Sequence, residues 1–156
     1  DAGYDKDELL HAINVKGRDN ARTPMQWSDA LNAGFTSGKP WLRVNSNYTD
    51  INVKQCLADP DSIFYTYQKL IELRHHNQIV VDGDFQLIEE TDAQILAYYR
   101  ILGDQKLLVV ANLTDKEKPF NCQEQYQKVL VENYTTPSNL QNIILKPYQA
   151  FVVTIA

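Results

Sequence analysis

A mixed fold is predicted, in which a helical and irregular first half precedes an all-β antiparallel sandwich. Two changes along the chain carry that expectation. Up to about Asn77 apolar residues recur at helical spacing or without period, whereas from about Asp84 onward short runs alternate at period two between turn signals. The boundary falls near Val81-Asp82-Gly83, which gives segments 1–82 and 83–156. Composition supports folding, since 44% of the 156 residues are hydrophobic, and 2 Trp, 9 Tyr and 5 Phe offer core material for one domain or two small ones.

The first helix is expected over Asp5 to Lys16, where Leu9, Leu10 and Ile13 share one face and Gly17 supplies a stop. Residues 18–50 hold Pro24, Gly34, Gly38, Pro40 and both Trp, and read as a long structured loop. Loops of that length inside compact domains are usually functional. The strongest helix runs from about Pro60 to His76, with Asp59 as N-cap, Pro60 at its first position and Asp61 favourable to its dipole. Its stripe of Ile63, Phe64, Tyr67, Leu70 and Ile71 calls for burial against a substantial partner. Arg74, His75 and His76 end it where positive charge suits the dipole, and adjacent histidines do not make the i, i+4 pair that a metal takes. Strands follow at about 84–90, 95–102, 106–113, 128–133 and 149–155, with Gly103-Asp104 the clearest tight turn.

A net charge of −5 without a basic patch opposes nucleic-acid and anionic-membrane partners. No run approaches the roughly 18 apolar residues of a membrane span, and no signal-type start is present, so a soluble cytoplasmic protein is expected. Cys56 and Cys122 have no companion spacing and read as two buried, reduced thiols. Asn47-Tyr48-Thr49, Asn112-Leu113-Thr114 and Asn133-Tyr134-Thr135 match the glycosylation pattern as chance occurrences. The chain opens on Asp1 without a Met and reads as cut from something larger.

Acid and base work by paired carboxylates needs environments that separate their pKa values. Asp59 with Asp61 are explained as helix-start residues, Glu89 and Glu90 point to opposite faces of a strand, and Asp82 with Asp84 flank a turn glycine. No nucleophile elbow, phosphate loop, dinucleotide fingerprint, zinc-helix motif or calcium loop occurs. The expectation is therefore no catalytic residue, no metal site and no cofactor in this chain. The dense polar constellation is Gly17-Arg18-Asp19-Asn20-Ala21-Arg22-Thr23-Pro24-Met25-Gln26-Trp27. Such groups can fork onto sugar hydroxyls beside an indole face, and equally an Arg-Asp network can pin a long loop.

The run RDNARTPMQW, followed by NAGFTSGKPWLRVN, INV, ADPDSIFYTYQKLIELR and YRILGDQKLLVVANLTD, resembles in order the C-terminal part of oligosaccharide α-glucosidases of the α-amylase superfamily. That group includes oligo-1,6-glucosidase, dextran glucosidase and trehalose-6-phosphate hydrolase, and the resemblance covers nearly the whole chain. It implies a helical remnant of the end of a (β/α)8 barrel, with Ser62 to His76 as its last helix, followed by the sandwich from about residue 83. It also implies that Arg22 binds substrate by reaching the non-reducing terminal glucose at its 4-hydroxyl, while Arg18 and Asp19 brace the loop. The family's nucleophile, general acid and third carboxylate precede this segment, and a barrel needs about 250 residues. An inactive C-terminal fragment of a retaining exo-acting α-glucosidase is thus expected. Its parent would act on oligosaccharides or trehalose 6-phosphate. Its partners would be the missing barrel and, through the exposed apolar face of the 60–76 helix, another copy of itself. The alternative is a free-standing carbohydrate-binding or interaction sandwich using Tyr98, Tyr99, Tyr126 and Tyr148, of which Tyr98 and Tyr99 face opposite sides of one strand.

Overall fold

A computed structural model describes residue 3 and residues 5–88 and 92–156. The chain forms two compact units, residues 1–66 and 67–156. The first begins with α1 (Lys6–Lys16), where the Asp5 carboxylate accepts the N–H groups of Asp7 and Glu8 at 2.9 and 3.0 Å. Those donors have no partner inside the helix, so the cap stabilises its start. Gly17 closes the other end by donating to the Ile13 carbonyl at 2.7 Å.

The expected loop contains three 3-10 turns, at Asp19–Ala21, Leu31–Gly34 and Ser46–Thr49. It leads into α2 (Val53–Ala58), a short helix absent from the sequence reading. The buried Asn52 caps it, accepting from the Gln55 N–H at 3.0 Å and donating to the Tyr48 carbonyl at 2.8 Å.

Helix α3 spans Ile63–His76 and starts later than predicted. Asp59 is the C-cap of α2, and its carboxylate accepts the Asp61 N–H at 3.0 Å, so residues 60–62 form a turn and Asp59 is not the α3 cap. The first helical bond runs from the Thr66 N–H to the Ser62 carbonyl at 3.2 Å. The apolar stripe is present, but Ile63, Phe64, Tyr67, Leu70 and Ile71 are all exposed. No residue of α1, α2 or α3 is buried. The partner that this stripe calls for is not found among the described residues, because periodicity defines a face and does not supply what covers it.

The second unit continues through α4 (Gln78–Asp82) into β1 (Asp84–Leu87), β2 (Ile95–Leu102), β3 (Gln105–Asn112), β4 (Lys118–Phe120), β5 (Tyr126–Glu132), β6 (Ile143–Leu145) and β7 (Ala150–Ile155). The end of the first predicted strand, with Glu89 and Glu90, lies outside the described residues. All pairings are antiparallel, in a five-stranded sheet of order β1-β2-β3-β7-β5 and a two-stranded sheet β4-β6. Gly103-Asp104 joins β2 to β3 with Leu102 opposite Gln105, and Gly103 takes the positive φ of 57° that this two-residue turn requires.

Alternate residues of three strands face one core: Ile95 and Ala97 from β2, Leu108 and Val110 from β3, Phe151, Val153 and Ile155 from β7. Phe120, Cys122, Leu140 and Leu145 close it from the β4-β6 side. Each buried Val, Leu, Ile or Phe side chain contributes about 1.5–3 kcal/mol by leaving water. On α4, Arg100 donates to the carbonyls of Ile79, Val80 and Val81 at 3.4, 3.3 and 3.2 Å, and so satisfies the Val80 and Val81 groups that a helix end leaves open. Cys122 is buried as expected, whereas Cys56 is only half-buried because α2 has no covering layer. Among the described residues no helix is long and apolar enough to cross a membrane.

Candidate functional site

Arg22 follows the Asp19–Ala21 turn, and its N–H donates to the Asp19 carbonyl at 3.1 Å. Side chains three apart eclipse in such a turn. The Arg22 Nη2 accordingly donates to Asp19 Oδ1 in an ion pair. Trp41 arrives from the far end of the loop, with its ring under the Arg22 Cζ at 5.7 Å. That separation is within the roughly 6 Å at which a guanidinium is attracted to a ring face. Among the described residues Nε and Nη1 of Arg22 make no hydrogen bond, so the group presents unused donors at a half-exposed position.

Amides hold this loop in place. Asn45 Nδ2 donates to Thr23 Oγ1 at 3.4 Å and to Gln26 Oε1 at 3.3 Å, and Gln26 Nε2 donates to Asn47 Oδ1 at 3.2 Å. The N–H groups of Val53 and Lys54 reach the carbonyls of Gln26 and Trp27 at 2.9 and 3.1 Å, tying the motif to the start of α2. Both Trp27 and Ser28 donate to the Ala33 carbonyl, at 2.9 and 3.0 Å. To offer that carbonyl, Asn32, Ala33 and Gly34 take consecutive left-handed conformations at φ 54°, 59° and 68°. Left-handed geometry costs a residue with a Cβ about 1–2 kcal/mol. The Asn32 side chain offsets part of that by donating to the Thr36 and Gly38 carbonyls at 3.1 and 2.9 Å. At Gly34 an added Cβ would lie 2.7 Å from Ser28 Oγ.

Asp19, Thr23, Leu42, Arg43 and Asn45 line a cavity of about 440 Å³. Asp19 also borders a second, of about 590 Å³, with Asn14, Lys16, Arg18 and Arg22. Small-ligand clefts run to about 300–1,000 Å³. The sequence-derived trio is therefore gathered, but unequally: Asp19 braces Arg22, while the Arg18 guanidinium makes no hydrogen bond among the described residues. Trp27, the indole inside the motif, is not the ring on Arg22; Trp41 is. Sequence reading missed it because partners brought together by a long loop carry no period.

The site can donate hydrogen bonds to a neutral polyol through the unused Arg22 donors. A general acid needs a carboxyl shifted upward. The shifts found run downward: Lys54 holds Asp29 below the ordinary carboxylate range, the Gln94 N–H and Lys118 do so for Asp92, and hydrogen bonding from Thr136 does so for Glu132. Asp82 accepts from Gln78 at 3.1 Å. In the sheet unit a groove of about 570 Å³ beside Phe120, Asn121 and Asn142 has its carboxylate, Asp92, committed to Lys118 at 2.9 Å. Tyr98 packs on Phe85 with ring centroids 4.8 Å apart, and the Tyr99 ring carries Lys106 Nζ at 3.9 Å. Burial raises the Tyr99 pKa further above its ordinary value, with hydrogen bonding to Glu124 acting in the same direction.

The profile of the alpha-amylase catalytic domain matches residues 1–83, and that of the alpha-amylase SusG C-terminal domain matches residues 95–152. An oligo-1,6-glucosidase of Bacillus cereus is 51% identical over 155 residues, covering 96% of this chain and 28% of the relative. A glucan 1,6-alpha-glucosidase of Streptococcus pneumoniae serotype 4 is 47% identical over 153 residues, covering 98% and 28%. The crystal structure of trehalose-6-phosphate hydrolase from Bacillus licheniformis matches at a TM-score of 0.87 and 44% identity, over 99% of this chain and 29% of that one. The chain thus spans just over a quarter of the length of the curated relatives it matches. With the catalytic-domain profile covering just over half of its residues and the C-terminal β domain following, the chain belongs to the alpha-amylase family.

Proposed function

We propose that this chain is the C-terminal portion of a retaining, exo-acting α-glucosidase that hydrolyses α-glucosidic bonds of short oligosaccharides. Residues 1–82 complete the catalytic barrel and residues 83–156 form the sandwich that braces it. Arg22 donates to the 4-hydroxyl of the terminal glucose and makes the pocket a dead end. The observation that carries this role is the Arg22 guanidinium held by Asp19 and Trp41 with Nε and Nη1 unused. A charge-assisted hydrogen bond of this kind contributes about 1.5–3 kcal/mol.

In the whole enzyme a carboxylate attacks the anomeric carbon, an acid protonates the leaving oxygen, and water then hydrolyses the glycosyl-enzyme. Both groups come from sequence outside this chain, which is inactive alone. Support for that assignment lies in the share of the relatives' length that the chain spans, just over a quarter. The names of its relatives, glucosidases for α-1,6 bonds and a trehalose-6-phosphate hydrolase, support an oligosaccharide or trehalose 6-phosphate as substrate. The acidic composition supports a cytoplasmic parent. A sugar-binding sandwich acting alone is less well supported, since the Tyr99 ring face is occupied by Lys106.

The test is glucose release from p-nitrophenyl α-glucoside and trehalose 6-phosphate, by the chain alone and after mixing with a separately expressed upstream portion. Silence alone with turnover on mixing is expected, together with a roughly 10–100-fold rise in KM for Arg22→Ala in the mixture. Turnover by the pure isolated chain would overturn the proposal.

A further inference from the structure

We propose that Trp41 is a positioning residue for substrate recognition, acting through Arg22. This rests on the reading of Arg22 as the group that meets the terminal sugar. An arginine side chain at a half-exposed position samples many rotamers, and each unfixed torsion weakens a directional hydrogen bond. Two contacts from different directions remove that freedom. The Asp19 carboxylate takes Nη2 and fixes rotation within the guanidinium plane, while the Trp41 ring lies against Cζ at 5.7 Å and fixes the plane itself. Nε and Nη1 then keep a set direction.

Core packing among the described residues does not account for an indole at this point. Trp41 is 77% exposed and so adds little to any core, and the core cluster contains no residue of the loop. Its neighbours are nevertheless fixed, since Leu42 to Ser46 line the cavity that Asp19 borders and Asn45 is tied to Thr23 and Gln26.

A double-mutant cycle in the full-length enzyme that carries this segment tests the idea. Values of kcat and KM are measured for Trp41→Leu, Trp41→Phe, Arg22→Ala and the Arg22→Ala/Trp41→Leu pair. Trp41→Leu is expected to lower kcat/KM about three- to tenfold, chiefly through KM, with Trp41→Phe recovering most of the loss because it keeps a ring face. In the Arg22→Ala background the Trp41→Leu change is expected to add nothing. An equal loss in both backgrounds would overturn the inference, because Trp41 would then act independently of Arg22. No loss from Trp41→Leu, with a raised KM for Arg22→Ala, would overturn it while leaving the role of Arg22 intact. An unchanged KM for Arg22→Ala would sink both.

Discussion

In residues 67–156 the side chains of Phe151, Leu108, Leu140 and Leu145 are fully buried, whereas in residues 1–66 Leu9, Leu10, Ile13, Phe35, Trp41 and Ile63 lie in solvent. The two units are thus held by different forces. Sheet order comes from removing apolar area from water, and the pleat sets which residues do so. Loop and helix order in the first unit comes from caps and amide bonds, through Asp5, Gln26, Asn32, Asn45 and Asn52. Such bonds fix geometry while each adds only about 0.5–1.5 kcal/mol net. The lesson is that local shape and global stability can be supplied by different parts of one chain. The uncovered stripes of α1 and α3 support the proposed place of this segment beside a missing barrel.

The largest expected effect contrasts truncations across the two units. Leu108→Ala is expected to cost about 2–5 kcal/mol in urea unfolding, and Ile13→Ala within about 0.5 kcal/mol. A cost above about 2 kcal/mol at Ile13 would break the contrast. Amides sharpen it next. Asn112 is buried, donates to the Lys116 and Lys146 carbonyls at 2.7 and 2.9 Å, and accepts from the Thr114 N–H and hydroxyl. Asn112→Ala strands those groups and is expected to cost about 2–3 kcal/mol, against about 1 kcal/mol for the exposed Asn45→Ala. Reversal of that order in the same unfolding assay would argue against it.

A third measurement addresses the α3 stripe. Sedimentation velocity of the chain is expected to show concentration-dependent self-association, and Ile63→Glu with Ile71→Glu to weaken it at least tenfold. A strictly monomeric parent chain at high concentration counts against the stripe as an adhesive face.

The smallest effect is on pH. The Asp92 pKa is lowered from 3.8 by the Gln94 N–H and by Lys118, so the carboxylate favours the folded state above that unfolded value. Its contribution is lost as pH falls through the lower folded value. Asp92→Asn should therefore flatten the acid limb of sheet stability below about pH 4, while Asp29→Asn, in the other unit, leaves that limb in place. Equal shifts from both would show the units to be coupled in acid.

Legibility followed length and locality. The β2-β3 hairpin could be read from alternation plus Gly103-Asp104, and α1 from Asp5 and Gly17, because each signal lies within a few residues of what it determines. β4 and β6, three residues each with Pro119 in one, are too short to show a period, and α2 has six residues. The α3 face was legible from its period, whereas its exposure was legible only through the resemblance that parts the segment from a barrel, since burial depends on what lies opposite. At the site Arg22 and Asp19 stood within one motif, while Trp41 meets them only through a long loop braced by Asn45 and Gln26.

The strand order has a consequence for biosynthesis. β7 lies between β3 and β5, so an interior position of the sheet is filled by the last of its five strands to be made. Until residues 150–155 emerge from the ribosome, β5 has no sheet partner, and Val129 and Val131 lack the Val153 and Val152 they pair with. At ordinary elongation rates that wait is about 1–4 s. A nascent chain stalled within that window is the form in which a chaperone would find this segment most exposed.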